Sequence, residues 1–148
     1  KILCNPGLST YAESNDRAFE RSTLSHNCLS INGQNSSEVW SSFRLGRSAE
    51  IISFESNSNN DKTFVKASHD GFDKVKHSRS WIVSNDHIII HDEVISDKSF
   101  FVDINFIVHP TYEILSFDSK ELIINSESST YRLSFQANQN FKLSEDPA

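Results

Sequence analysis

The chain has 148 residues and a formal charge of −6, with 20 acidic against 14 basic side chains. That length is one domain's worth and allows a true core, whereas the acidic balance argues against nucleic acid as the partner, because phosphate binding needs a basic patch. Eleven Phe, four Gly, no Met and abundant Ser and Asn indicate a β-rich composition with many polar turns, and no run approaches the ~20 apolar residues of a membrane span.

Two cysteines, Cys4 and Cys28, are too few for a disulfide framework, and two thiols are favoured over a pair. The opening Lys-Ile-Leu-Cys-Asn carries neither an initiator Met nor a charged leader, so it reads as the interior of a longer protein.

In chain order, Asn5-Pro6-Gly7 is a turn signal. Residues 9–14 read as a first strand carrying Tyr11, broken by Asn15-Asp16, and 17–23 is ambiguous between a short helical turn and irregular chain. Residues 28–32 alternate apolar and polar and end on Asn32-Gly33, the strongest hairpin signal in the chain. Residues 38–44 alternate as well, with Val39 and Phe43 on one side and Trp40 on the other. Further strands are expected at 49–54, 63–67, 75–83, 88–94, 100–108, 112–117, 122–125 and 131–135, separated by polar turns. Ile88-Ile89-Ile90 is expected to be buried core, and Phe100, Val102, Ile104, Phe106 and Val108 to face one way. Some ten short strands in a meander, with little helical periodicity, imply an all-β fold, an antiparallel sandwich or barrel.

Unusual polar residues concentrate in the first half. Residues 21–47 hold Arg21, His26, Asn27, Gln34, Glu38, Trp40, Arg44 and Arg47 among strand-like apolar positions. A hairpin at Asn32-Gly33 would fold Glu38 and Trp40 back beside His26 and Cys28, bringing a carboxylate near an imidazole. A second cluster comprises His69-Asp70-Gly71-Phe72 and His77-Ser78-Arg79. Asp-Gly favours a turn, while His77 and Arg79, two apart on a strand, share a face with Val75. His87, His91 and His109 read as structural. Arg21, Arg44, Arg47 and Arg79 offer forks for carboxylate or sulfate. With Trp40 and Tyr11 as flat platforms, they suggest a surface for an acidic sugar. Three His with Glu38 or Asp70 have the chemistry of zinc ligands, although the spacing is not that of a short local motif.

The ordered series Ser9-Thr10-Tyr11, Arg17, Arg21-Ser22-Thr23, His26-Asn27, Asn32-Gly33-Gln34, Ser37-Glu38-Val39-Trp40, Phe43-Arg44-Leu45-Gly46-Arg47, His69-Asp70-Gly71-Phe72 and His77-Ser78-Arg79 resembles the C-terminal β-sheet domain of heparinase II/III-like proteins. The likeness is closest to bacterial members found with capsule and surface-polysaccharide genes, and its motifs cover residues 5–95. The resemblance implies a polysaccharide lyase, in which an N-terminal α/α toroid precedes a β-sandwich and uronate-containing glycans are cleaved by β-elimination. It puts a cleft histidine at His26, with Asn27 beside it, and leaves the family's catalytic Tyr to the toroid; this stretch alone is therefore expected to be inactive. Some relatives hold a structural zinc through two His and an Asp, for which His26 or His77, Glu38 or Asp70, and His69 are the candidates; no cofactor is required for the reaction. A periplasmic or cell-surface location is favoured on the same ground. A non-catalytic domain gripping an acidic polysaccharide, and a small free-standing metal-dependent enzyme, are the competing readings. The lyase reading requires His26, Arg44, His69 and His77 to share one face.

Overall fold

A computed structural model describes residues 1–41 and 43–144. Among them are eleven strands, every pairing antiparallel, distributed over four small sheets. The chain divides into two compact units, Asn5–Phe106 and a second made of Lys1–Cys4 with the residues from Ile107 on.

The Asn5–Phe106 unit opens with a helix rather than the strand expected at 9–14. Helix α1 (Asn15–Glu20) starts where Ser14, in an extended conformation, accepts the Arg17 amide on its Oγ at 3.1 Å. Ser-Asn-Asp is an N-cap followed by an acidic first turn, which outweighs the weak β-propensity before it. A single 3₁₀ turn, Thr23–Ser25, follows and is capped by His26.

Strand β1 (Leu29–Ile31) is fully buried, and its partner is distant in sequence. The turn expected at Asn32-Gly33 does form, with φ of 52° and 69° and a Gln34 N–H to Ile31 carbonyl bond of 2.9 Å. It does not, however, return a strand alongside β1. Asn32 instead donates its amide to the Phe101 carbonyl and accepts the Phe101 amide on Oδ1, each at 2.9 Å. These bonds continue the ladder by which β1 pairs with β8 (Val102–Ile104), and they correct the expected hairpin. The alternating run 38–44 is likewise divided, into β2 (Val39–Trp40) and β3 (Arg44–Leu45), because Ser41 turns at φ 49° and the two halves pair with each other.

The main sheet has the order β4-β5-β6-β7, made of Ile51–Ser58, Lys62–Phe72, Val75–Ser84 and Ile88–Ile95. Strand β5 runs straight through Asp70-Gly71, and the reversal comes later at Asp73-Lys74, where Lys74 has φ 57°. A register shift between His69 and Phe72 absorbs the extra residues. The core gathers Leu29, Ile31 and Phe72, with Val75, Val94 and Phe100 packed on them; burial of each large side chain contributes about 1.5–3 kcal/mol. Two expectations fail at the periphery. Ile88 and Ile89 are 60% and 47% exposed, at an end of the sheet where Val83, paired with Ile88, is 40% exposed as well. Within 100–108, only β8 (Val102–Ile104) is a strand, and Val102 and Ile104 are 37% and 42% exposed.

The second unit contains β9 (Glu113–Phe117), β10 (Glu121–Ser126) and β11 (Ser129–Ser134), ordered β11-β10-β9 around buried Leu122 and Ile124. An isolated bridge pairs Leu3 with Val108. Among the described residues, no helix is long and apolar enough to cross a membrane.

Candidate functional site

The site is built on the registers of β5, β6 and β7. His69 lies opposite His77, and Arg79 lies opposite Asp92. Opposed residues project to the same side and side chains alternate along a strand, so all four share one face. His77 and Arg79 are 5% and 8% exposed.

Their hydrogen bonds have a fixed direction. The Gly71 amide donates to His69 Nδ1 at 3.0 Å, so His69 carries its proton on Nε2. That Nε2 donates to His77 Nδ1 at 2.9 Å, and His77 Nε2 donates in turn to Asp92 Oδ1 at 2.7 Å. Arg79 reaches the same carboxylate as a fork, from Nε to Oδ1 at 2.7 Å and from Nη2 to Oδ2 at 2.9 Å. Its remaining Nη1 donates to the Asn27 carbonyl at 2.6 Å. Burial pushes the Asp92 carboxyl up, but the hydrogen bonds from His77 and Arg79 and the charge of Arg79 outweigh it and leave its pKa below the ordinary carboxylate range. His69 is lowered from the ordinary imidazole value, first by burial and then by His77 beside it.

His26 follows the 3₁₀ turn, half-buried, with Nδ1 2.7 Å from Asn5 Oδ1. An amide oxygen only accepts, so Nδ1 donates to it. Cys28, one residue past Asn27, donates Sγ–H to the Thr23 carbonyl at 3.0 Å. Burial raises its thiol pKa, opposed by Arg79 and reinforced by Asp92. Cys4 and Cys28 are both thiols.

The other arginines differ in role. Arg21 donates to the Ser41 and Arg44 carbonyls at 2.9 and 3.3 Å and so holds the β2–β3 hairpin. Arg47 donates to the carbonyls of Asp70, Gly71 and Ser36 at 3.1, 2.7 and 3.4 Å. Arg79, expected to contact substrate, is buried with its guanidinium engaged by Asp92 and Asn27. Arg44 and Trp40 are directly opposed across β2–β3 and both exposed, Trp40 at 52%. Gln34 lies in the turn after β1. Tyr11 is exposed, with the buried Arg17 guanidinium 5.3 Å from its ring centre.

Glu38 does not reach His26. Its carboxylate accepts the Arg47 amide at 3.2 Å, a consequence of β1 pairing with β8 instead of β2. Asp70 accepts the Glu50 amide at 2.8 Å and faces Arg47. Of the zinc candidates, therefore, only His69 and His77 meet, and their facing nitrogens are bonded to each other. Among the described residues, no three His, Cys, Asp or Glu side chains gather as a ligand set, so the donors do not fit a closed zinc site. Of the four residues expected to share one face, His69 and His77 do, His26 is linked to them through Asn27 and Arg79, and Arg44 stands on the separate β2–β3 hairpin. A cleft of about 680 Å³ opens beside His69, lined also by Arg47, Asp70, Lys74 and Lys76; His26 is not in its lining.

Asp92, the hub of the network, was not singled out from the sequence. The polar turn at 84–87 held the signal: counting back from it along both strands sets Asp92 opposite Arg79.

The family model described as heparinase II/III-like, C-terminal, matches residues 1–147. The chain belongs to that family. No curated protein and no solved structure matches it. Membership in the heparinase II/III-like family connects this domain with polysaccharide lyases. In this heparinase II/III-like domain, His77, Asp92 and Arg79 form a buried group, His26 is half-buried, and Trp40 and Arg44 are exposed.

Proposed function

We propose that this domain is part of a polysaccharide lyase that cleaves uronate-containing glycans by β-elimination, with His26 at the reacting sugar. The observation that carries this reading is the anchoring of His26: Nδ1–H donates to Asn5 Oδ1, which leaves Nε2 as the ring nitrogen to meet a substrate. An imidazole held in that form exchanges a proton at one defined nitrogen, which the reaction needs. The base takes the C5 proton, the C4–O bond breaks, a C4=C5 double bond forms, and the leaving oxygen receives a proton. Neutralising the uronate carboxylate makes the C5 proton acidic. Arg44 fits that role, with Trp40 opposite it as a face for a sugar ring. Arg21 and Arg47 support the same surface by fixing its backbone, and Gln34 and Asn27 lie on the segments flanking β1.

An α/α toroid, which precedes such sheet domains in lyases of this kind, would complete the cleft and supply the remaining acid–base group. An acidic polysaccharide as substrate favours a periplasmic or cell-surface location. The second reading is a binding module without turnover, favoured by the exposed Trp40–Arg44 pair standing apart from the His77 group.

The deciding experiment takes the full-length protein, a panel of uronate polysaccharides, and ultraviolet absorbance of the 4,5-unsaturated product. Product with wild type and its loss in His26→Ala supports the lyase. Undiminished product in that variant removes His26 from the chemistry. Binding without product on any glycan selects the binding module.

A further inference from the structure

We infer that Asp92 is a positioning residue for His26, acting through Arg79 and the main-chain carbonyl of Asn27. For its catalytic consequence this rests on the reading of His26 given above; its structural content does not.

Asp92 sits on β7, and its carboxylate is 9% exposed. It accepts three hydrogen bonds, two from the Arg79 fork and one from His77. A bidentate fork fixes the plane of a guanidinium as well as its position. Once Nε and Nη2 are set, the direction of Nη1 is determined, and Nη1 lies 2.6 Å from the Asn27 carbonyl oxygen. Asn27 follows His26 directly. The histidine is thus held on both sides, by Asn5 at its ring and by Arg79 one residue along its backbone.

The chemistry of burial makes this a coupled device. Without Asp92, Arg79 is a buried cation lacking its counter-charge and turns toward water. The Asn27 carbonyl then loses this donor, and the 26–28 segment loses its fixed relation to β6. His77 strengthens the arrangement from the other side, because its Nε2–H and the guanidinium together orient the carboxylate.

The test uses the full-length protein with Asp92→Asn and Arg79→Lys, the second keeping a positive charge but losing the fork. Nitrogen-15 imidazole spectra report the tautomer of His26 without any substrate. Wild type is expected to show the Nδ1–H form, and both variants a mixture. On any glycan that is turned over, kcat should fall on the order of 10- to 100-fold with KM changed by about 2-fold or less, as expected for a displaced reacting group. A folded Asp92→Asn protein with the wild-type His26 tautomer and kcat overturns the inference. If wild type turns over no glycan, the lyase reading fails alone and the tautomer comparison still decides this one. Should neither variant fold, exchange of the Arg79 Nη1 protons in wild type decides: slow exchange supports the tether, and exchange at the rate of a solvated guanidinium overturns it.

Discussion

His69 and His77 meet edge to face, their rings 84° apart with centroids at 5.0 Å, and the only hydrogen bond between them runs from Nε2 to Nδ1 at 2.9 Å. The direction is imposed from outside the pair. The Gly71 amide occupies one end of the chain and the Asp92 carboxylate the other, so each ring has one donor and one acceptor in use.

Removing the middle of that chain should be costly. His77→Ala leaves the His69 N–H without its acceptor, takes one donor from a buried carboxylate and opens a void. A loss of about 2–4 kcal/mol is expected. Urea unfolding followed by tryptophan fluorescence measures it; a shift equivalent to less than about 0.5 kcal/mol would show that the relay does not stabilise the fold.

The same chain gives stability a pH dependence of defined sign. Unfolded His69 titrates near the ordinary value of about 6.5, and the folded protein lowers it. The unfolded state therefore binds more protons over the interval between the two values. Stability is complete above about pH 6.5 and is lost as pH falls toward the lower folded value. Asp92, also lowered on folding, adds a second loss that begins below about pH 3.9. Urea midpoints measured from pH 8 to 3 should fall in two stages, and His69→Gln should reduce the first. A wild-type midpoint that is flat between pH 7.5 and 5 would contradict this.

Gly71→Ala and Gly33→Ala should fail for different reasons. A methyl at Gly71 would lie 2.6 Å from His69 Nδ1 and 2.8 Å from Ser36 Cβ. It displaces the ring that Gly71 itself orients, for about 1–3 kcal/mol. Gly33 has open space around it but φ of 69°, so its cost is backbone strain of about 1 kcal/mol. Only the first substitution should change the imidazole spectrum of His69; identical spectra for the two variants would refute the distinction.

Cys28 should be a slow thiol. Its raised pKa reduces the thiolate fraction, and its S–H is engaged by Thr23. Alkylation at pH 7.5, located by mass spectrometry, should proceed about 10-fold more slowly at Cys28 in the native protein than in urea. Equal rates would place the side chain in solvent.

Local patterns were legible in the sequence, and pairings were not. Alternation at 75–83 correctly put Val75, His77 and Arg79 on one side, because side-chain direction in a strand is a property of the strand alone. The turn at Asn32-Gly33 was legible for the same reason. Which strand lies beside β1 was not: Asn32 satisfies its hydrogen bonds with Phe101, and nothing in residues 28–34 announces a partner so far along. That single misjudgement moved Glu38 toward His26. Arg79 shows a second limit. A guanidinium that binds a ligand and one that holds a buried carboxylate have the same sequence signature, and only the register of β6 against β7 separates them.

The contact between Arg79 and Asn27 closes a segment of 52 residues, whereas the β5–β6 hairpin closes on the tight turn at Asp73-Lys74. Short closures form quickly, and long ones wait until enough neighbouring contacts reward the lost chain entropy. The β5–β6 ribbon therefore assembles first and carries His69, His77 and Arg79 into place with it. The segment bearing His26, just before β1, arrives later, when β1 finds β8. In pulse-labelled hydrogen exchange, amides of Thr63–Ser68 should gain protection before those of Leu29–Ile31. His26 would then be the last part of the Asp92–Arg79–Asn27 arrangement to be placed, and the protein would pass through a state in which the β5–β6 ribbon is complete and the 26–28 segment is not yet docked.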